Sequence, residues 1–249
     1  PTQDESNSGI FKIMIVFNGC SFVEQSHLET EANNWKDLYW PALISPEHVN
    51  LAQSGASNTR IWRTTLDHIY SNHPCKKLYI GWSGIEREEL PAVNGDTVNL
   101  RPNKCFYNQM PETDTGNIKE NWYKNHWNEW LALDRLVDYI LTIQDACKCR
   151  GIKYWMWNSW THNYLHNPLR IWNKSFFVQT HRWDRKQRAD RDRLVNKINN
   201  INWKQWIWQP KDTLSNWAKV QGLDFETYGH PALSAQQPIA DYILQQTRG

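Results

Sequence analysis

At 249 residues, with 40% apolar and 22% charged side chains, the chain is long enough for one sizeable core, and its composition excludes disordered and collagen-like classes. A net charge of +2 gives no argument for nucleic acid or another polyanion as partner. The longest apolar run near the start, Ile13 to Phe17, is far short of the roughly 20 residues a bilayer crossing needs.

The polar opening, residues 1–9, reads as a flexible tail, and no signal-peptide core is visible. Residues 10–249 then read as a single α/β domain. Phe11 to Phe17 (FKIMIVF) is a β-forming apolar run that suits a strand covered on both faces, and Asn18-Gly19 marks a turn at its end. Helical spacing of Trp35, Leu38, Tyr39 and Ala42 predicts a helix over 33–44, and His48 to Ala52 a short second strand. Ser57 is placed to cap a helix running to about Tyr70, and Lys77 to Trp82 (KLYIGW) is a third strand. The order β-α-β-α-β predicts a three-layer sandwich around a mostly parallel sheet.

Two polar stretches, about 90–120 and 158–180, are too long for ordinary connections and read as insertions. Between them, apolar spacing predicts a long helix from Trp122 to about Arg150, stopped by Gly151, and a fourth strand at Ile152 to Trp157. The charged run beginning at His181 predicts an exposed helix laced by i,i+4 ion pairs. Trp206 to Trp208 suggests a last short strand, and Ser234 to Gln246 a closing helix that tolerates Pro238 in its first turn.

The five cysteines (Cys20, Cys75, Cys105, Cys147, Cys149) are an odd set without zinc-type spacing, so reduced thiols are expected and no metal is implied. Thiols in that state suggest a cytoplasmic or virion-associated setting. Sixteen tryptophans are either core or platforms for ring-shaped ligands, and composition does not choose between them.

A nucleophilic serine needs a sharp turn after a strand, and Asn18-Gly19-Cys20-Ser21-Phe22 meets that requirement; a helix-capping serine is the structural alternative. Three further segments stand in a telling order: Gln53-Ser54-Gly55-Ala56-Ser57-Asn58, Gly81-Trp82-Ser83-Gly84, and Gly229-His230-Pro231 before the last helix. Together they resemble the blocks of the SGNH (GDSL-like) hydrolase family, whose fold is flavodoxin-like, and the blocks span Phe11 to Ile243. Cys20 stands where the family has aspartate, Ser83 where it has asparagine, and Thr227 where an aspartate precedes the histidine.

The resemblance implies Ser21 as nucleophile and His230 as its base, with Glu226 favoured over Asp224 as orienting acid, or carbonyl support in a Ser-His dyad. It also implies an oxyanion hole from the Ser21 and Gly55 N–H groups plus Ser83 or Arg87. The Trp-Ser pair with Arg87 and Glu88 is similar to divergent, often phage-borne or marine bacterial members. The expected function is a serine esterase acting on a small ester or acylated carbohydrate, with no cofactor, nucleic acid or membrane involved. Trp82 and Trp160 are expected at the cleft, where strand ends of open α/β sheets gather ligands. A catalytically degenerate module, glycan-binding or part of a virion, is the alternative. The substrate and the oligomeric state are not written in the sequence.

Overall fold

The computed structural model describes residues 14–30, 32–71, 73–91, 97–100, 127–159, 165, 185–208, 212–226 and 229–248. Four parallel strands form the central sheet: β1 (Ile15–Gly19), β2 (His48–Asn50), β3 (Lys77–Trp82) and β6 (Lys153–Asn158), in the order β2-β1-β3-β6. Ladders run from Ile15↔Lys77 to Gly19↔Gly81 and from Lys77↔Lys153 to Trp82↔Asn158, so the three main apolar runs are neighbours and parallel, as expected. β2 lies on one side of β1 and β3 on the other. The connections after β1 and β3 therefore diverge at the carboxyl ends of these strands, the switch point where open α/β sheets bind ligands.

The first strand sits later than its hydrophobic run suggests. Asn18 and Gly19 continue the ladder instead of turning away from it. Asn18 is satisfied from outside the sheet: its Nδ2 donates to Ile61 O (3.0 Å), Thr64 Oγ1 (2.9 Å) and Thr65 Oγ1 (2.8 Å). Those three residues belong to α4 (Asn58–Tyr70), which thereby covers one face.

Side chains alternate between faces along a strand, so Phe17, Tyr79 and Trp155, paired in register, point the opposite way from Asn18. Their rings stack across three strands, with centroids 5.0 Å apart at each step. Beyond them lie α3 (Trp40–Ile44) and the closing helix, α8 (Gln236–Thr247): Trp40 meets Phe17 edge-on at 5.3 Å, and Tyr79 Oη donates to Thr247 Oγ1 (3.4 Å). On the Asn18 face α5 (Glu129–Arg150) packs on α4, with Tyr139 stacked on Trp62 at 4.8 Å. The molecule is thus a three-layer α/β sandwich.

Helix ends follow local chemistry. The Ser57 hydroxyl accepts from Arg60 N (3.1 Å) at the start of α4, the Asn128 side chain accepts from Leu131 N (3.1 Å) at the start of α5, and Gly151, at φ 64°, ends α5. The helix expected over 33–44 is broken into α2 (Trp35–Leu38) and α3 by extended Tyr39, because Pro41 has no N–H to carry the first helix onward. The start expected for α5 at Trp122 lies outside the described residues; helical structure begins at Glu129.

Other elements also differ from expectation. Trp206 makes only an isolated parallel bridge to Met156, because Trp208 takes a left-handed φ of 62° that no strand can continue through. The charged run forms α6 (Arg185–Asn199), but Arg193 and Lys197 pair with Asp134 of α5 at 2.9 and 2.8 Å rather than mainly along their own helix. β4 (Glu88–Pro91), which crosses the start of the region read as the first insertion, pairs antiparallel with β5 (Thr97–Leu100) inside it. α7 (Leu214–Val220), capped by Thr213, was not anticipated. The opening tail, most of both insertions and Trp160 lie outside the described residues.

Candidate active site

Ser21 is the first residue of α1 (Ser21–Glu24), two positions beyond the end of β1. Such a tight strand-to-helix junction needs space, and two facing glycines supply it. A Cβ on Gly19 would lie 2.5 Å from Val23 Cγ2 and 2.8 Å from Gly81 O; one on Gly81 would lie 2.8 Å from the same Val23 methyl. With both absent, α1 settles directly on the carboxyl ends of β1 and β3. The cap position belongs to Cys20, which makes no side-chain cap bond, so the Ser21 hydroxyl is not spent on capping.

That hydroxyl lies 2.7 Å from His230 Nε2, across 209 positions of sequence. His230 is presented by a small hairpin: Phe225 bridges Pro231, Glu226 N–H donates to His230 O (2.9 Å), Gly229 N–H to Glu226 O (2.9 Å), and Ala232 N–H to Asp224 O (3.0 Å). Gly229 makes the reversal at φ 78°, a conformation that favours glycine. Buried Phe22 backs the imidazole at 5.1 Å between centroids.

Of the two expected acids, Asp224 is exposed and accepts a hydrogen bond from Ser234 Oγ (2.8 Å) at the start of the closing helix segment. Its place in the hairpin, where its carbonyl accepts from Ala232 N–H, sets the carboxylate beside Ser234. Glu226 is half-buried and joined to His230 through the main-chain bond already described.

The Gly55 loop is fastened to the same junction. Leu51 N–H donates to Phe17 O (2.8 Å), Gln53 N–H to Gly19 O (3.2 Å), and Asn50 Nδ2 to Val23 O (3.3 Å). Ala56 N–H then closes a turn onto Gln53 O (3.0 Å) with Gly55 at φ 78°, the third-position geometry of a type II turn. Ser83 follows β3, its backbone gripped by Asn58: Ser83 N–H donates to Asn58 Oδ1 (2.8 Å), and Asn58 Nδ2 donates to Ser83 O (3.1 Å). The Ser83 hydroxyl is buried and has no hydrogen-bond partner among the described residues. Arg87, half-buried, closes the next turn through its N–H to Gly84 O (3.3 Å).

Trp82 is not at a cleft surface. It is fully buried in the core on the α4 face, as register with Ile80 and Asn18 requires, and so presents no ring to a ligand. Trp40, Trp157, Trp206 and Trp208 are buried too, so much of the unusual tryptophan content is core. Sequence reading missed Asn18, Gln25, Asn58 and Gln236, all buried amides that tie the site's segments together.

Burial pushes the Cys147 thiol up to about 12 and Cys75 to about 11, which keeps both protonated and poorly nucleophilic. Burial likewise raises the Glu88 carboxyl, with Arg135, 2.5 Å away, pulling it back. Among the described residues no group of three or more His, Cys, Asp or Glu is placed to hold a metal ion, and no helix is long and apolar enough to cross a membrane.

No family model matches the chain, and no curated protein matches it in sequence. In structure it is similar to TesA (12% identity, 94% of this chain and 98% of that one, TM-score 0.49). It is also similar to the psychrotrophic esterase EstA from Pseudoalteromonas sp. (12%, 94% and 95%, TM-score 0.43) and to a member of the lipolytic protein G-D-S-L family from Veillonella parvula (9%, 94% and 97%, TM-score 0.44).

Proposed function

We propose that this chain is a serine ester hydrolase of SGNH type, with Ser21 as nucleophile and His230 as general base and then acid. The observation that carries the reading is the 2.7 Å contact between Ser21 Oγ and His230 Nε2 at the strand ends of a parallel sheet. A serine hydroxyl is a weak nucleophile alone, and an imidazole within hydrogen-bond reach is what activates it.

With its proton on Nδ1, the imidazole accepts the Ser21 proton as Oγ attacks the ester carbonyl. Negative charge on the tetrahedral oxygen is met by the N–H groups of Ser21 and Gly55, with the buried Ser83 hydroxyl as third donor and Arg87 as its alternate. Collapse returns the proton from His230 to the departing alcohol and leaves an acyl group on Ser21. Water, activated by His230, then releases the acid and restores the serine. Glu226 is the favoured group to orient the imidazole.

Two assays test this together: labelling by a fluorophosphonate, and turnover of a panel of short acyl esters that includes acetylated carbohydrates. Acetylated carbohydrates stand in that panel as part of the proposal, although Trp82 is buried and offers them no stacking platform. Stoichiometric labelling at Ser21 with turnover of at least one ester is the expected result. A wild-type protein that resists the label and hydrolyses no ester overturns the proposal.

A further inference from the structure

Two glutamines with no part in the chemistry connect the two halves of this site. Gln25 follows α1 in a left-handed conformation (φ 60°) and is fully buried, as is Gln236 at the start of α8. Gln25 Nε2 donates to Phe22 O, the carbonyl one residue after Ser21. Gln236 Nε2 donates to Pro231 O and Ala232 O, both at 3.1 Å, the carbonyls one and two residues after His230. The side chains meet, with Gln236 Nε2 3.4 Å from Gln25 Oε1.

The orientation of both amides is fixed by their partners. Gln236 Oε1 accepts from Trp40 N (3.1 Å), which can only donate, so its Nε2 must face the two carbonyls and the Gln25 oxygen. Trp40 Nε1 in turn donates to Phe22 O (3.0 Å). Phe22 O, Gln25, Gln236 and Trp40 thus form a closed ring of hydrogen bonds, with a branch to the histidine hairpin. Such a buried polar network holds a single arrangement when every member is satisfied.

We infer that Gln236, acting through Gln25, is a positioning residue that sets the separation of Ser21 from His230. The inference rests on the serine hydrolase reading above. The ring reaches main chain one residue beyond each reacting group, and a misplacement of about 1 Å is enough to cost about a hundredfold in rate. Gln25 fixes the serine side and Gln236 the histidine side. Neither touches the reacting atoms.

The experiment compares Gln236→Met and Gln25→Met with the wild type, in otherwise intact protein and again on a His230→Ala background. Fluorophosphonate labelling rate is the readout, with kcat and KM for any ester the wild type turns over. In the intact protein each substitution is expected to lower labelling and kcat about ten- to a hundredfold, with KM changed less than about threefold. On the His230→Ala background the same substitutions should change labelling less than about twofold, because there is no imidazole left to position. An equal loss on both backgrounds, or no loss in the intact protein, overturns the inference. So does failure of both variants to fold, which would make the pair a general structural device. If only Gln236→Met fails to fold, Gln25→Met decides by the same comparison. A wild-type protein that neither labels nor hydrolyses any ester sinks the hydrolase reading itself, an outcome distinct from a reactive wild type indifferent to both glutamines.

Discussion

In the proposed mechanism the Ser21–His230 contact separates residues that act from residues that only stand near. Ser21→Ala and His230→Ala should each lower ester turnover at least about a thousandfold, as measured by kcat/KM, while circular dichroism stays unchanged; the two residues act as one unit, so the double variant should be little worse than either. Asp224→Asn should change kcat/KM less than about threefold, since its exposed carboxylate accepts from Ser234 Oγ. Glu226→Gln should cost more than Asp224→Asn, and the reverse order would move the orienting role back to Asp224. Ser21 and His230 were legible because each stands in a short block whose neighbours, Gly19 and Pro231, shape a recognisable turn. The buried amides were not. Asn18, Asn58, Gln25 and Gln236 look like surface polar residues in sequence, and their roles depend on partners up to 211 positions away.

Elements whose ends are set by local chemistry were readable, and those set by distant contacts were not. Ser57 and Gly151 announced the start of α4 and the end of α5 because a cap and a left-handed terminus are local devices. The extension of β1 to Gly19 could not be read locally, because it depends on Gly81 in the neighbouring strand. That difference predicts how substitutions behave. Gly19→Ala places a methyl 2.8 Å from the Gly81 carbonyl, backbone that cannot rotate away, and should cost about 1–3 kcal/mol in chemical denaturation with a matching fall in activity as α1 lifts. Gly151→Ala meets nothing within 4 Å and should cost only about 1 kcal/mol of left-handed strain, without touching activity. Ser57→Ala should cost about 1 kcal/mol through the lost cap bond to Arg60 N–H.

For the whole molecule, the parallel order was legible because right-handed crossovers leave few ways to arrange alternating strands and helices. A pH dependence of stability was not. Burial lowers His48 from its ordinary 6.5, and its ring is held between Tyr39 Oη and Ser45 O. His68 is lowered by burial and then by neighbouring His73. A depressed folded value means the unfolded chain takes up the proton first, so stability is present above 6.5 and is lost as pH falls below it toward the depressed value. Melting temperature should therefore fall between pH 7.5 and 5.5, and His48→Gln should flatten that slope; a slope unchanged by the substitution would exclude His48 as its source. Raised Glu88 acts in the opposite direction, so the comparison with His48→Gln isolates the histidine. The hairpin that carries His230 has a kinetic consequence of its own. Its hydroxyl partner lies 209 positions upstream, so closing this contact is among the slowest events a refolding chain must complete. After dilution from denaturant, helical signal and tryptophan burial should recover first. Reactivity toward an ester or a fluorophosphonate should return in a later, slower phase, marking the moment when the two distant segments finally meet.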